Sequence, residues 1–75
     1  MLVVTQDAVI NLDRVHNFQR FYGKIFMLVF SNDSENYSIQ LDFDNEEDLN
    51  EAYQGILFAY AEDKKVYAIT KNKKG

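Results

Sequence analysis

Six carboxylates crowd one short stretch of the chain: Asp42, Asp44, Glu46, Glu47, Asp48 and Glu51. The alternate acids at 42, 44, 46 and 48 have the spacing of the first ligands of an EF-hand calcium loop. The rest of that motif is missing. Glu47 stands where the loop needs a glycine for its sharp turn, and Tyr53 stands where it needs a bidentate glutamate. Two other uses of the acids remain. Carboxylates at a helix start accept hydrogen bonds from orphan amides and oppose the positive end of the helix dipole. Carboxylates repeated along a surface can also imitate the phosphates of DNA. Asp44, Glu47, Asp48 and Glu51 share one side of the helix expected here and would continue Asp42 of the strand before it.

No other constellation carries a reaction. His16 is the only histidine, and nothing in the sequence selects a nucleophile or carboxylate to work with it. No GxGxxG or GxxxxGK pattern surrounds the glycines, so no phosphate-binding loop is read. The chain is expected to be non-enzymatic, with no cofactor and no metal. Gly23 suits a tight turn. Gly55 falls inside the helix, where it costs about 1 kcal/mol relative to alanine.

The helix that must position the acids is read from Asn45 to Ala61. Leu49, Ala52, Tyr53, Ile56, Leu57 and Tyr60 fall on one face, a normal core stripe. Phe58 falls almost opposite, with Gln54, Glu51, Glu62 and Gly55 around it, the anatomy of a small hot spot. Asp44 or Asn45 supplies the cap, and Asp44 with Glu47 has the spacing of a capping box. The partner-binding residues expected from the sequence are Phe58, Gly55, Gln54, Glu51, Asp44, Glu47 and Asp48.

Strands account for the remainder. Leu2 to Thr5 and Val9 to Leu12 read as two short strands joined through Asp7-Ala8, with a further turn at Asp13. Residues 15–22 fit either a helical face or a strand with alternating side chains, and strand is the preferred reading. Lys24 to Phe30 is apolar almost throughout and is expected to be covered on both faces. Ser31 to Asn36 is a polar hairpin loop. Tyr37 to Phe43 alternates strictly, with Tyr37, Ile39, Leu41 and Phe43 inward. Val66 to Thr70 reads as a short last edge strand, and Lys71 to Gly75 as a disordered basic tail. The expected fold is α+β: one antiparallel curved sheet of five or six strands packed on one long helix in the C-terminal half.

The 75 residues make a single domain, 47% hydrophobic and 15% aromatic, without cysteine or proline. Such a chain is too apolar to be disordered and small enough that oligomerisation would help it. No stretch approaches the roughly 20 apolar residues of a membrane span, and no signal peptide is read at the N-terminus, so a cytoplasmic setting is expected. The Asn-x-Ser triplets starting at Asn32 and Asn36 are read as turn chemistry. Residues 1–63 hold all twelve acids and three bases, a net charge of −9, and residues 64–75 hold five lysines and no acid, a net of +5. An acidic body repels nucleic acid and anionic membrane and attracts basic protein surfaces. Direct nucleic-acid binding and membrane association are therefore not expected.

The order Leu2-Val3-Val4, then Val9-Ile10-Asn11-Leu12-Asp13 and Val15, then the later strands, then a helix led by Asn45-Glu46-Glu47-Asp48, resembles short uncharacterised proteins of Gram-positive bacteria and their phages. Pleckstrin-homology-like barrels, which also end on a capping helix, are a more distant likeness. The first resemblance implies a phage or mobile-element accessory protein acting in the host cytoplasm, without implying an activity or site residues. The combined expectation is a small acidic protein that binds a host or phage protein partner, such as a nucleic-acid-binding defence nuclease, and inhibits it. The alternative is a structural, self-assembling module, for instance a homodimer.

Overall fold

The computed structural model describes residues 1–15, 17–23, 26–32 and 37–73, with the side chains at 26, 27, 32 and 37 left aside. His16, the turn residues after Gly23, most of the expected loop from Ser31 to Asn36 with its Asn-x-Ser triplets, and the last two residues of the expected tail lie outside this set.

The chain forms β1 (Leu2–Val4), β2 (Val9–Asn11), a short 3-10 turn (Leu12–Arg14), β3 (Asn17–Phe21), β4 (Phe26–Asn32), β5 (Tyr37–Phe43), α1 (Glu46–Ala61) and β6 (Val66–Ala68). Thr5 closes the first hairpin. Its hydroxyl accepts from Ala8 N at 2.9 Å, while its own amide donates to Ala8 O at 2.8 Å. Residues 15–22 do contain a strand. Phe18 and Arg20 of β3 are half-buried, while Asn17, Gln19 and Phe21 are exposed.

The expected single antiparallel sheet is instead two three-stranded sheets, in the orders β2-β1-β6 and β3-β4-β5. The second is an antiparallel meander with Phe18 opposite Phe30 and Leu28 opposite Leu41. In the first, β6 runs parallel to β1, pairing Val3 with Tyr67. The helix separating β5 from β6 makes this pairing accessible, because parallel strands need a long crossover and α1 supplies it. The sheets meet through Asn72, which bridges Phe43 of β5. The Asn72 side-chain oxygen accepts from Gln6 N at 3.4 Å, its backbone oxygen accepts from the Gln6 side-chain amide, and Lys73 N donates to Asp42 O at 2.8 Å. Lys71 to Lys73, read from the sequence as the start of a disordered tail, therefore pass along β5 with Asn72 buried. The Asn72 side-chain oxygen accepts there from Gln6 N, which a lysine side chain, having donors only, could not do.

One core fills the space between the sheets and α1, built from Val3, Ile10, Leu28, Phe30, Leu41, Phe43, Leu49, Ile56 and Ile69. Strand β4 is not covered on both faces. Leu28 and Phe30 point into the core, whereas Val29 lies on the far face between the exposed Gln19 and Gln40.

Candidate functional site

Helix α1 is capped by Asn45, whose side-chain oxygen accepts from Asp48 N at 2.8 Å. The pairing residue is Asp48, reached by the Asn45 side-chain amide at 3.3 Å, so the local pair is Asn45–Asp48 and not the expected Asp44–Glu47 box. Glu46, Glu47 and Asp48 occupy the first turn, against the positive end of the dipole.

The acidic side of the helix is met by the chain's own lysines. Lys71 Nζ lies 2.9 Å from Glu51 and 3.8 Å from Asp48, and Lys73 Nζ lies 3.5 Å from Asp44. The hydrogen bond that Lys71 donates to Glu51, and then the charges of Glu51 and Asp48, hold the Lys71 ammonium above its ordinary value. Three of the acids offered as partner contacts thus already carry a cation. Among the described residues, no group of three or more histidine, aspartate or glutamate side chains is arranged to hold a metal ion.

Gly55 has an occupant too. Tyr67 of β6 lies over it, so that a β-carbon at Gly55 would coincide with the tyrosine ring and hydroxyl. The space that the sequence left for an outside partner at this one position is filled from within. Burial, and secondarily the charge of Glu51, push the Tyr67 hydroxyl above its ordinary value.

Phe58 is 66% exposed. It has company that the helical periodicity did not assign to the surface. Leu57 and Tyr60, both read as core, are 42% and 69% exposed, and Ala59 is buried in their place. The reason is geometric. The two sheets grip the centre of α1 through Leu49, Ala52, Ile56 and Ala59, a stripe whose middle lies about 60° around the helix from Tyr60 and about 120° from Leu57. At 100° per residue, Tyr60, Leu57, Ala61 and Phe58 spread over about 160° of the outer surface. Every residue from Gly55 to Ala61 is apolar or, in Tyr60, aromatic with a hydroxyl tip. A helix that is apolar all round is normally enclosed on all sides; here one side is in water.

Two hollows flank this helix end. On the β3 side, Leu12, Val15, Phe18, Ile56, Leu57 and Tyr60 line an open groove of about 450 Å³. On the β6 side, Phe58, Ala59, Val66 and Tyr67 line one of about 420 Å³, with Glu62 and Lys64 at its rim. Val66 is 54% exposed. Gln54 is exposed at the upstream end of the surface, as expected. The signal that could have found the whole surface is compositional: no charged or amide side chain occurs between Gln54 and Glu62.

The helix ends in a Schellman arrangement. Lys64 N donates to Ala59 O at 2.9 Å and Asp63 N to Tyr60 O at 3.1 Å, with Asp63 in the left-handed region at φ 58°. Beside the first half of the helix, Arg20 stacks over the Tyr53 ring at 3.9 Å and donates to the Asn50 side-chain oxygen at 2.9 Å. No protein family, curated protein or solved structure matches the chain.

Proposed function

We propose that this chain is a non-enzymatic protein-binding module whose contact surface is the apolar outer side of the last turns of α1. The observation that carries the reading is the joint exposure of Leu57, Phe58 and Tyr60 on a helix segment that has no polar face. Two exposed rings leave about 250–300 Å² of aromatic surface in water, at 150–250 Å² per fully buried ring. The largest apolar patch on a monomeric protein, about 300–600 Å², is often its functional one.

The geometry favours this surface over the acidic one as the point of contact. Phosphate imitation needs accessible carboxylates, and Asp44, Asp48 and Glu51 each have a lysine within 4 Å. An inhibitor of a nucleic-acid-binding enzyme would on this reading grip its target mainly through apolar burial, with Glu47 and Gln54 at the rim.

The test is a photo-crosslinking amino acid placed at Phe58 and, separately, at Gln40 on the far face of the meander. The expected result is a protein adduct of discrete mass from position 58, either with itself in concentrated pure protein or with a second protein in cell extract. Position 40 should give none, and Leu57→Asp should abolish the adduct. Equal labelling at both positions, or none at 58, overturns the reading.

A further inference from the structure

We infer that β3 pairs edge to edge with β3 of a second copy of the chain, antiparallel about a two-fold axis at Gln19, so that the two meanders join into one six-stranded sheet. The inference goes beyond the protein-binding reading. It uses the edge of the meander and leaves Phe58 outside the interface.

The edge is the first argument. β3 is an outer strand of its sheet, and among the described residues none pairs with its outer side. The other edges are shorter or taken. β2 and β6 have three residues each, and Asn72 and Lys73 lie along the Phe43 end of β5. Edge strands are ordinarily guarded by lysine, proline or a bulge. β3, from Asn17 to Phe21, has neither lysine nor proline and pairs with β4 without a bulge. Its one charge, Arg20, is turned inward over the Tyr53 ring. Unpaired donors and acceptors in a row are met by another extended backbone.

Register follows from the five residues. An axis at Gln19 pairs all of them: Gln19 with the partner's Gln19, Asn17 with the partner's Phe21, and Phe18 with the partner's Arg20. An axis at Arg20 would set two like charges directly opposite each other.

Shape selects a copy of this chain over an unrelated strand. α1 runs antiparallel to β3, with Asn50 beside Tyr22 and Tyr60 beside Val15. At the Tyr22 end a ring stands out: Tyr22 is 49% exposed, although its hydroxyl is tied to Asn50. At the Val15 end lies the groove lined by Val15, Phe18, Leu57 and Tyr60. Leu57 and Tyr60 are about 60° apart on the helix and share this side of it. Antiparallel pairing sets the exposed ring of each copy at the mouth of the other's groove, twice over, as a two-fold interface requires. The helices leave room for it. α1 packs over β4 and β5, and strands lie about 4.8 Å apart, so the two helix axes stand at least about 14 Å apart across the joint. Helices in direct contact stand about 8–10 Å apart. Tyr22, Leu57 and Tyr60 are placed to fill the slot between them. Between Leu49 and Ala61 the side of α1 turned to β3 carries no charge, so none is buried.

Area sets the strength. The exposed parts of Phe21, Tyr22 and Tyr60 come to roughly 300 Å², at 150–250 Å² per ring. With Leu57 and the strand edge added, the interface stays below the roughly 800 Å² per partner of a standard one. The dimer is therefore weak and depends on concentration.

The chain has no cysteine, so introduced thiols report the register. Gln19 is exposed. Residues directly opposite in antiparallel strands have α-carbons about 4.5–5.5 Å apart, within disulfide reach. Gln19→Cys alone should therefore form a homodisulfide in mild oxidant. Asn17→Cys alone should not, because the two copies of position 17 lie roughly 14 Å apart; mixed with Phe21→Cys, it should form the mixed disulfide. Sedimentation equilibrium of the unmodified chain should show the mass approaching that of a dimer as concentration rises from about 1 to 500 µM. Gln19→Lys, with its fold checked by circular dichroism, sets two like charges across the axis and should weaken the dimer roughly fivefold. Phe58→Asp should leave the dimer unchanged. A strict monomer at about 500 µM overturns the inference. A homodisulfide at position 17 as ready as that at 19 overturns the register. A dimer that Phe58→Asp dissolves and Gln19→Lys leaves intact overturns the β3 edge as the joint.

Discussion

Tyr67 of β6 occupies the space that a side chain on Gly55 of α1 would need. The absence of a single β-carbon lets β6 approach the helix closely enough for its ring to lie on the helix backbone. The glycine costs helix propensity, and the contact with Tyr67 offsets that cost.

Gly55→Ala should therefore destabilise the protein by about 1–2 kcal/mol despite alanine's better propensity, because the Tyr67 ring must leave its seat. In a Tyr67→Ala background the same substitution should stabilise by up to about 1 kcal/mol. Urea denaturation of the four proteins gives the coupling. Additive effects would show that Tyr67 is not why position 55 is a glycine.

Asp63 sits in the left-handed conformation at the end of α1, with φ 58°, and places a carboxylate at the negative end of the helix dipole. Asp63→Gly relieves both the steric and the electrostatic cost and should raise stability by about 1 kcal/mol. A lowered urea midpoint would mean that the Asp63 side chain makes a compensating contact.

Alkaline pH should destabilise the fold. Tyr67 and Lys71 both have folded-state values raised above their ordinary ones, by burial and by Glu51 respectively. Each group holds its proton more tightly when folded, so the stability it contributes is complete below its ordinary value and lost as pH rises through the folded one. The loss begins near 10.0 for Tyr67 and 10.5 for Lys71. Melting temperature followed from about pH 8 to 12 should fall above that point, with Tyr67→Phe removing part of the slope. A flat profile would show that neither group titrates differently on unfolding.

Arg20 joins β3 to the helix through the face of Tyr53 and the side chain of Asn50, which also accepts from the Tyr22 hydroxyl at 2.7 Å. Arg20→Ala should cost about 1–2 kcal/mol through the lost cation–π contact and hydrogen bond. Arg20→Lys should restore less than half of this, because an ammonium cannot stack and donate in one plane. Full rescue by lysine would show that charge alone matters at this position.

The sequence by itself determined the elements whose signals are local. Strict alternation in Tyr37 to Phe43 marked β5 to the residue, and the cap and acids around Asn45 marked the start of α1. Phe58 was legible as an exposed ring because its angle on the helix puts it opposite Leu49 and Ile56. Only the tertiary structure decided which neighbours joined it. Helical spacing fixes the angle between residues but not which stripe the sheets will grip. The grip fell on Ala59 and left Leu57 and Tyr60 outside. The parallel pairing of β6 with β1, the seating of Tyr67 on Gly55 and the lysines returning to Asp44, Asp48 and Glu51 join residues far apart along the chain. Such pairings depend on where the helix delivers the strand after it, and periodicity along one segment carries no record of that.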